Sequence, residues 1–271
     1  MAAKVGFKRL LVVSDLHCGH IVGLTPPQWQ IKKARSEEGN IPHDVFKIQS
    51  SLWRDYRDTV DRLRPIHFCV CNGDAIDGKG NRSGGTELLT ADREEQSRMA
   101  IRALTYVKPE EGFWMTYGTA YHTGDVEDWE NYVARDLDAK IGSHEWFDIY
   151  GVVFDFKHKV GSSSIPHGRG TAIAKEKLWN QMWALRDEQP NADVIVRSHV
   201  HYSFMVGEPG NWLGLTTPAL QAAGTKYGGR QCSNTVDLGV VVFDVYPDGR
   251  YEWEVIRFAN AVRRVRATKL T

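Results

Sequence analysis

The apolar run LLVV (10–13) leads directly into SDLHCGH (14–20), and no other junction limits the chain's fold so strongly. Consecutive apolar residues bounded by polar punctuation read as a buried strand. Asp15 and His17 stand at its end, and both are costly to bury unless something pairs with them. Side chains two apart on a strand face the same way, so the acid and the imidazole point to a common place. A bound cation would satisfy both.

Three later runs end in the same manner: IHFCVCNGD (66–74), GFWMTYGT (112–119) and ADVIVRSH (192–199). Between the first two runs, Val45, Ile48, Leu52, Tyr56, Val60 and Leu63 recur at helical spacing, and Pro65 closes that helix. Between the second and third, TADREEQSRMAIRALTYV predicts a helix capped by Thr90 and packed through Met99, Ile101, Leu104 and Val107. Strand and helix in alternation argue for an α/β sheet with crossovers. The second half adds antiparallel pairing: 149–160 alternates, and LGVVVFDVYPDGRYEWEVIRF predicts two strands about a Pro-Asp-Gly turn. No repeat or linker divides the chain, so one domain over 1–271 is expected. The longest loops, 19–42 and 161–170, are of a length more often functional than idle.

The totals exclude several classes. Lys plus Arg and Asp plus Glu are 34 each, so no overall field recruits nucleic acid or membrane. The tail RRVRATKL (263–270) is the one basic exception. No stretch approaches the roughly 20 apolar residues that span a bilayer, and no secretory signal is evident. The cysteines, Cys18, Cys69, Cys71 and Cys232, lack zinc-type spacing. A reducing, cytoplasmic setting is the expectation.

The strand ends now supply a set: Asp15 and His17, Asp74 and Asp77, His122, then His199 and His201. Ends on one edge of such a sheet converge on a crevice. Each piece alone has a plain structural reading, a turn or a polar strand exit. Their recurrence at four strand ends argues for a shared ligand.

In SDLHCGH, NGDAID, GTAYH, a later single histidine and SHVH, the chain resembles the calcineurin-like metallophosphoesterases over about residues 9–205, with phage-borne members the nearest type. That resemblance implies a β-sandwich flanked by helices, a four-layer αββα fold. It also implies two divalent metal ions, manganese first, with iron, zinc or nickel also suited. Asp15, His17 and His201 would hold the first ion, His158 and His199 the second, and Asp74 would bridge them. His122 would be the general acid and Asp77 would orient it. A metal-bridging hydroxide would attack phosphorus. Two departures stand out: GTAYH puts Thr119 where an asparagine ligand is expected, and SHVH puts Ser198 in place of glycine. Whether Thr119 or a water takes the asparagine's place stays open.

Alternatives remain at several positions. His158 shares a strand face with Val152, Phe154 and Phe156 and could be a core histidine, with His167 in reserve. Asp77 could be a turn cap, and Asp125 could orient His122 instead. Arg169 and His167 could bind a phosphate oxygen beside a helix start or lie on a plain loop. Cys18 reads as a small buried residue. His20 and His144 receive no role. The expected function is hydrolysis of phosphate esters, diesters foremost. The partner is a phosphate-ester substrate, which could be a nucleotide or nucleic acid. The rivals are a DNA or RNA nuclease, suggested by the basic tail and the aromatics, and a metal-binding assembly protein that has lost catalysis.

Overall fold

The computed structural model describes residues 6–32, 44–124, 127–163, 165–208, 210–223, 225, 235–259 and 267. The basic tail from 263 (Ala267 apart), Asp125, Cys232 and much of loop 19–42 lie outside the described residues.

The first apolar run forms β1 (Lys8–Val13), and the next two form β2 (Phe68–Asn72) and β3 (Gly112–Thr116). These pair in parallel, and β4 (Lys140–Gly142) extends the sheet beyond β3. On the other side of β1 run β10 (Gly239–Val245) and β11 (Tyr251–Arg257), both antiparallel. They form the hairpin expected about Pro247-Asp248-Gly249. Gly249 takes the positive φ (81°) that its turn requires, and its amide donates to Tyr246 O at 3.0 Å. The strand order is β11-β10-β1-β2-β3-β4.

A second sheet has the order β5-β6-β7-β9-β8. It contains β5 (Glu145–Ile149), β6 (Val152–Lys159), β7 (Val194–Ser198), β8 (Phe204–Glu208) and β9 (Trp212–Thr216). The alternating stretch 149–160 contains β6, which pairs with β5 in a hairpin turning at Tyr150-Gly151. The β8–β9 hairpin has no counterpart in the sequence-based reading, because FMVGE leaves most of its side chains in solvent and lacks a core-facing stripe.

The inner faces meet through Leu10, Val12, Val70, Phe154, Phe156, Val194, Val196, Val241 and Phe243. The outer face of the first sheet, with Leu11, Val13, Cys69, Cys71 and Met115, is covered by helices. These are α1 (Val45–Leu63), α2 (Arg93–Thr105) and, after the short α3 (Ala120–Thr123), α4 (Glu130–Asp136). All six residues expected on the inward face of α1 are buried. The N-cap of α2 is Asp92, not Thr90: the Asp92 carboxylate accepts from the amides of Glu94 and Glu95. Thr90 acts one step earlier, its hydroxyl accepting from Asp92 N at 3.1 Å. A carboxylate beside the partial positive charge of a helix start is the stronger cap.

The second sheet carries α5 (Arg169–Ala184) outside, seated through Ile173 against β9 at Gly214, where a Cβ would lie 2.3 Å from the Ile173 side chain. Helix, sheet, sheet, helix is the four-layer αββα sandwich that the resemblance implies. No helix among the described residues is long and apolar enough to cross a membrane.

Candidate metal centre

The C-terminal ends of β1, β2, β3 and β7 lie along one rim of the sandwich. Here the structure brings together all eight residues singled out from the sequence. Asp15, His17, Asp74, Asp77 and His158 are buried, while His122, His199 and His201 are partly open, at 18%, 34% and 20% side-chain exposure. Among the described residues, three groups could each hold a metal ion: Asp15, His17 and His201; Asp74, His158 and His199; and His17, Asp74 and His122.

The groups crowd potential ligand atoms together. His17 Nε2 and His201 Nε2 face each other at 3.2 Å, and Asp15 Oδ1 lies 3.3 Å from His201 Nε2. In the second group, His158 Nε2 is 3.0 Å and His199 Nδ1 4.0 Å from Asp74 Oδ2. Asp15 Oδ1 and His158 Nε2, one from each group, are buried without a hydrogen-bond partner. Each faces its neighbour only at ion-pair distance, and an ion or water would complete its bonding.

The remaining hydrogen bonds fix which nitrogen faces inward. His17 Nδ1 is 2.9 Å from Asp77 Oδ1, and His158 Nδ1 is 2.7 Å from Asn72 O. Carboxylate and carbonyl only accept here, so both imidazoles carry a proton on Nδ1 and turn Nε2 to the centre. A carboxylate or carbonyl behind each imidazole is the usual support of a metal-binding histidine. His122 Nδ1 meets the backbone carbonyl of Asp77 at 2.8 Å, whereas the Asp77 carboxylate lies 3.6 Å away. The Asp77 side chain is thus committed to His17 and its main chain to His122.

Electrostatics point the same way. Burial favours the neutral acid at Asp15, yet the adjacent His201 imidazole draws it down to about 2. Asp74 is held well below the carboxylate range by His158 despite its burial. Burial opposes a charge on His158, but Asp74 raises it to about 10. At His17, burial and then His122 lower the value to about 4. Two buried carboxylates therefore demand positive charge, which the protein alone supplies only by protonating histidines. Divalent cations suit this oxygen and nitrogen set directly.

The backbone is bent to present the ligands. Asp15 (φ 50°), His17 (44°), Asp74 (53°), His199 (75°) and His201 (55°) all adopt left-handed conformations, each costing about 1–3 kcal/mol in a non-glycine residue. Two glycines make room: a Cβ on Gly73 would lie 2.5 Å from His158 Nδ1, and one on Gly118 2.2 Å from Asp74 Oδ1.

Thr119, at the expected asparagine position, bonds to the would-be bridging carboxylate. Its amide donates to Asp74 Oδ1 at 2.7 Å and its hydroxyl lies 3.2 and 3.3 Å from the two oxygens. Glu130 was not singled out from the sequence. It is fully buried and accepts from Ala75 N at 2.8 Å and Gly118 N at 2.6 Å, joining the turns after β2 and β3. It stands among several acids in DVEDWEN, with nothing local to distinguish it. His167 and Arg169 fall outside the three groups. His167 is exposed, and the Arg169 guanidinium lies 4.1 Å over the Tyr202 ring. Cys18 is buried, its thiol donating to Leu24 O at 3.1 Å. His20 faces Glu87 and His144 faces Asp155.

Neither protein-family models nor curated proteins match the sequence. Among solved structures, the chain is similar to an archaeal phosphodiesterase, with 11% identity, 92% of this chain and 99% of that one covered, and a TM-score of 0.44. It is similar to Vps29 of Chaetomium thermophilum at 11% identity, 93% and 99% coverage and a TM-score of 0.45. For the NAD nucleotidase of Haemophilus influenzae the identity is 9%, with 93% of this chain and 50% of that one covered and a TM-score of 0.44.

Proposed function

We propose that the protein is a phosphoesterase dependent on two divalent metal ions, manganese foremost, acting on phosphodiesters. The observation that carries this reading is the convergence of two adjoining groups of acids and imidazoles, in which Asp15 Oδ1 and His158 Nε2 are buried with no well-formed hydrogen bond. Asp15, His17 and His201 would hold one ion and His158 and His199 the other, with Asp74 between them. Bound there, the ions would activate water and offset charge on the phosphoryl oxygens.

The chain's own residues supply the rest. Asp77 orients His17 through its carboxylate. Its carbonyl holds His122 Nδ1, so His122 Nε2 is left for the leaving group. From there a protonated His122 would pass its proton to the departing alkoxide oxygen, which a diester needs more than an activated ester does. His122 is partly open to solvent, so it can regain a proton between turnovers. No cysteine or serine nucleophile is required, and the burial of Cys18, which raises its thiol pKa, keeps it out of the chemistry.

The test is release of p-nitrophenol from aryl phosphate mono- and diesters by metal-free protein and after adding manganese. Metal-dependent turnover favouring the diester is expected. Metal binding without turnover on any ester would leave the lapsed, non-catalytic reading standing in its place.

A further inference from the structure

Five buried polar side chains form a continuous line beneath the metal centre. Thr116 Oγ1 donates to Asn72 Oδ1 at 2.8 Å, and Asn72 Nδ2 donates to Ser198 Oγ at 2.6 Å. Ser198 Oγ lies 2.8 Å from Thr217 Oγ1, which lies 2.6 Å from Ser14 Oγ. All five are buried to within 1% of complete.

The direction of the whole line follows from its ends. Asn72 Nδ2 also faces Lys157 O at 3.3 Å, a carbonyl that can only accept, so the amide cannot be flipped. Ser198 accepts from Asn72; with Ser14 donating to Pro218 O at 3.3 Å, the order that gives every donor an acceptor has Ser198 donating to Thr217 and Thr217 to Ser14. Every donor is used once. Buried networks with all members satisfied rigidify their surroundings, and aligned hydrogen bonds strengthen one another.

The line is anchored at the ends of β1, β2, β3 and β7 and just past β9. Ser14 directly precedes Asp15, Ser198 directly precedes His199, and Asn72 stands two before Asp74. Those three ligands are in left-handed conformations. Strained backbone of this kind persists only where the surroundings over-determine it. The line crosses between the two sheets twice, from Asn72 to Ser198 and from Thr217 to Ser14. The serine that replaces the expected glycine in SHVH is thus one of the links that join the sheets.

We propose that Thr116, Asn72, Ser198, Thr217 and Ser14 are positioning residues: a polar brace that fixes the strained strand ends so that Asp15, Asp74 and His199 are in place before any ion arrives. This rests on the metal-centre reading for its purpose, though not for its geometry.

The test uses Thr217→Val, which removes the central hydroxyl at nearly constant volume, and Thr217→Ser, which restores it. In metal-free protein, hydrogen exchange in segments 14–18, 72–76 and 198–202 should quicken by about 10-fold in the valine variant, while segment 251–257 stays unchanged. A merely structural loss would move both. The affinity for Mn²⁺, measured by calorimetry, should weaken by about 10-fold, and serine should rescue both readouts. If the valine variant does not fold, Ser198→Ala takes its place with the same expectations. Unchanged exchange at the three segments would overturn the brace. Wild-type protein that binds no Mn²⁺ while exchange still responds would remove the metal reading and leave the brace standing.

Discussion

Asp77 holds two histidines with different atoms: its carboxylate takes His17 Nδ1 at 2.9 Å, and its carbonyl takes His122 Nδ1 at 2.8 Å. The two imidazole rings are brought edge to face, their centroids 4.5 Å apart. One acid at a turn therefore sets a would-be ligand and a would-be proton donor side by side.

Asp77→Asn separates these two duties, since it spares the carbonyl and removes the charge behind His17. We expect metal affinity to fall by about 10- to 100-fold, with the His122 contact intact. Calorimetric titration of Mn²⁺ into both proteins checks this, and equal affinities would show that the carboxylate does not support His17 as a ligand.

His122→Ala should lower kcat by about 100- to 10,000-fold on a diester with a poor leaving group while leaving two ions bound. Asp74→Asn should abolish turnover and lose metal as well. Elemental analysis beside rate measurement distinguishes the two. Full turnover in either variant refutes the role given to that residue.

Metal removal should cost stability, because ions bound only by the folded state stabilise it by about 2.7 kcal/mol at 100-fold excess over Kd. The melting temperature should fall in chelator and recover with manganese. A protein indifferent to manganese, iron, zinc and nickel alike would have no such centre.

Burial, then the charge of Asp74, raises Glu130 from 4.5 to about 8. The folded protein thus keeps a proton that the unfolded chain releases near 4.5. Its contribution to stability is full below that pH and is lost as pH rises towards 8. In chelator, the melting temperature of the wild type should fall more steeply from pH 5 to 8 than that of Glu130→Gln, which has no proton to lose. Parallel curves would contradict the assignment.

Beneath α5, Arg197 Nη1 meets Asp155 Oδ1 at 2.5 Å and Arg197 Nε meets Glu176 at 2.8 Å, with both Arg197 and Asp155 side chains no more than 2% exposed. Arg197→Met would leave a buried carboxylate uncompensated, a loss of about 3–5 kcal/mol in unfolding free energy. Urea denaturation measures it, and an unchanged midpoint would mean that the His144 contact alone suffices.

The sequence by itself pointed to the parallel strands, the inward face of α1, the β10–β11 hairpin and seven of the eight residues gathered at the rim, His158 entering only through the family resemblance. Each has a local signature: apolar period, turn chemistry, or an acid and imidazole two apart at a strand end. It could not reveal that Asp77 turns its carboxylate to His17, that Asp92 caps α2 in place of Thr90, or that β5 and β8 complete the second sheet. Nor did it mark Glu130, Asn72 or Thr217, whose partners lie on other elements 12 to 203 residues away and whose types are unremarkable in turns. A residue's period follows from its neighbours along the chain, but a hydrogen bond across two sheets depends on how those sheets pack, and only the tertiary structure decides that.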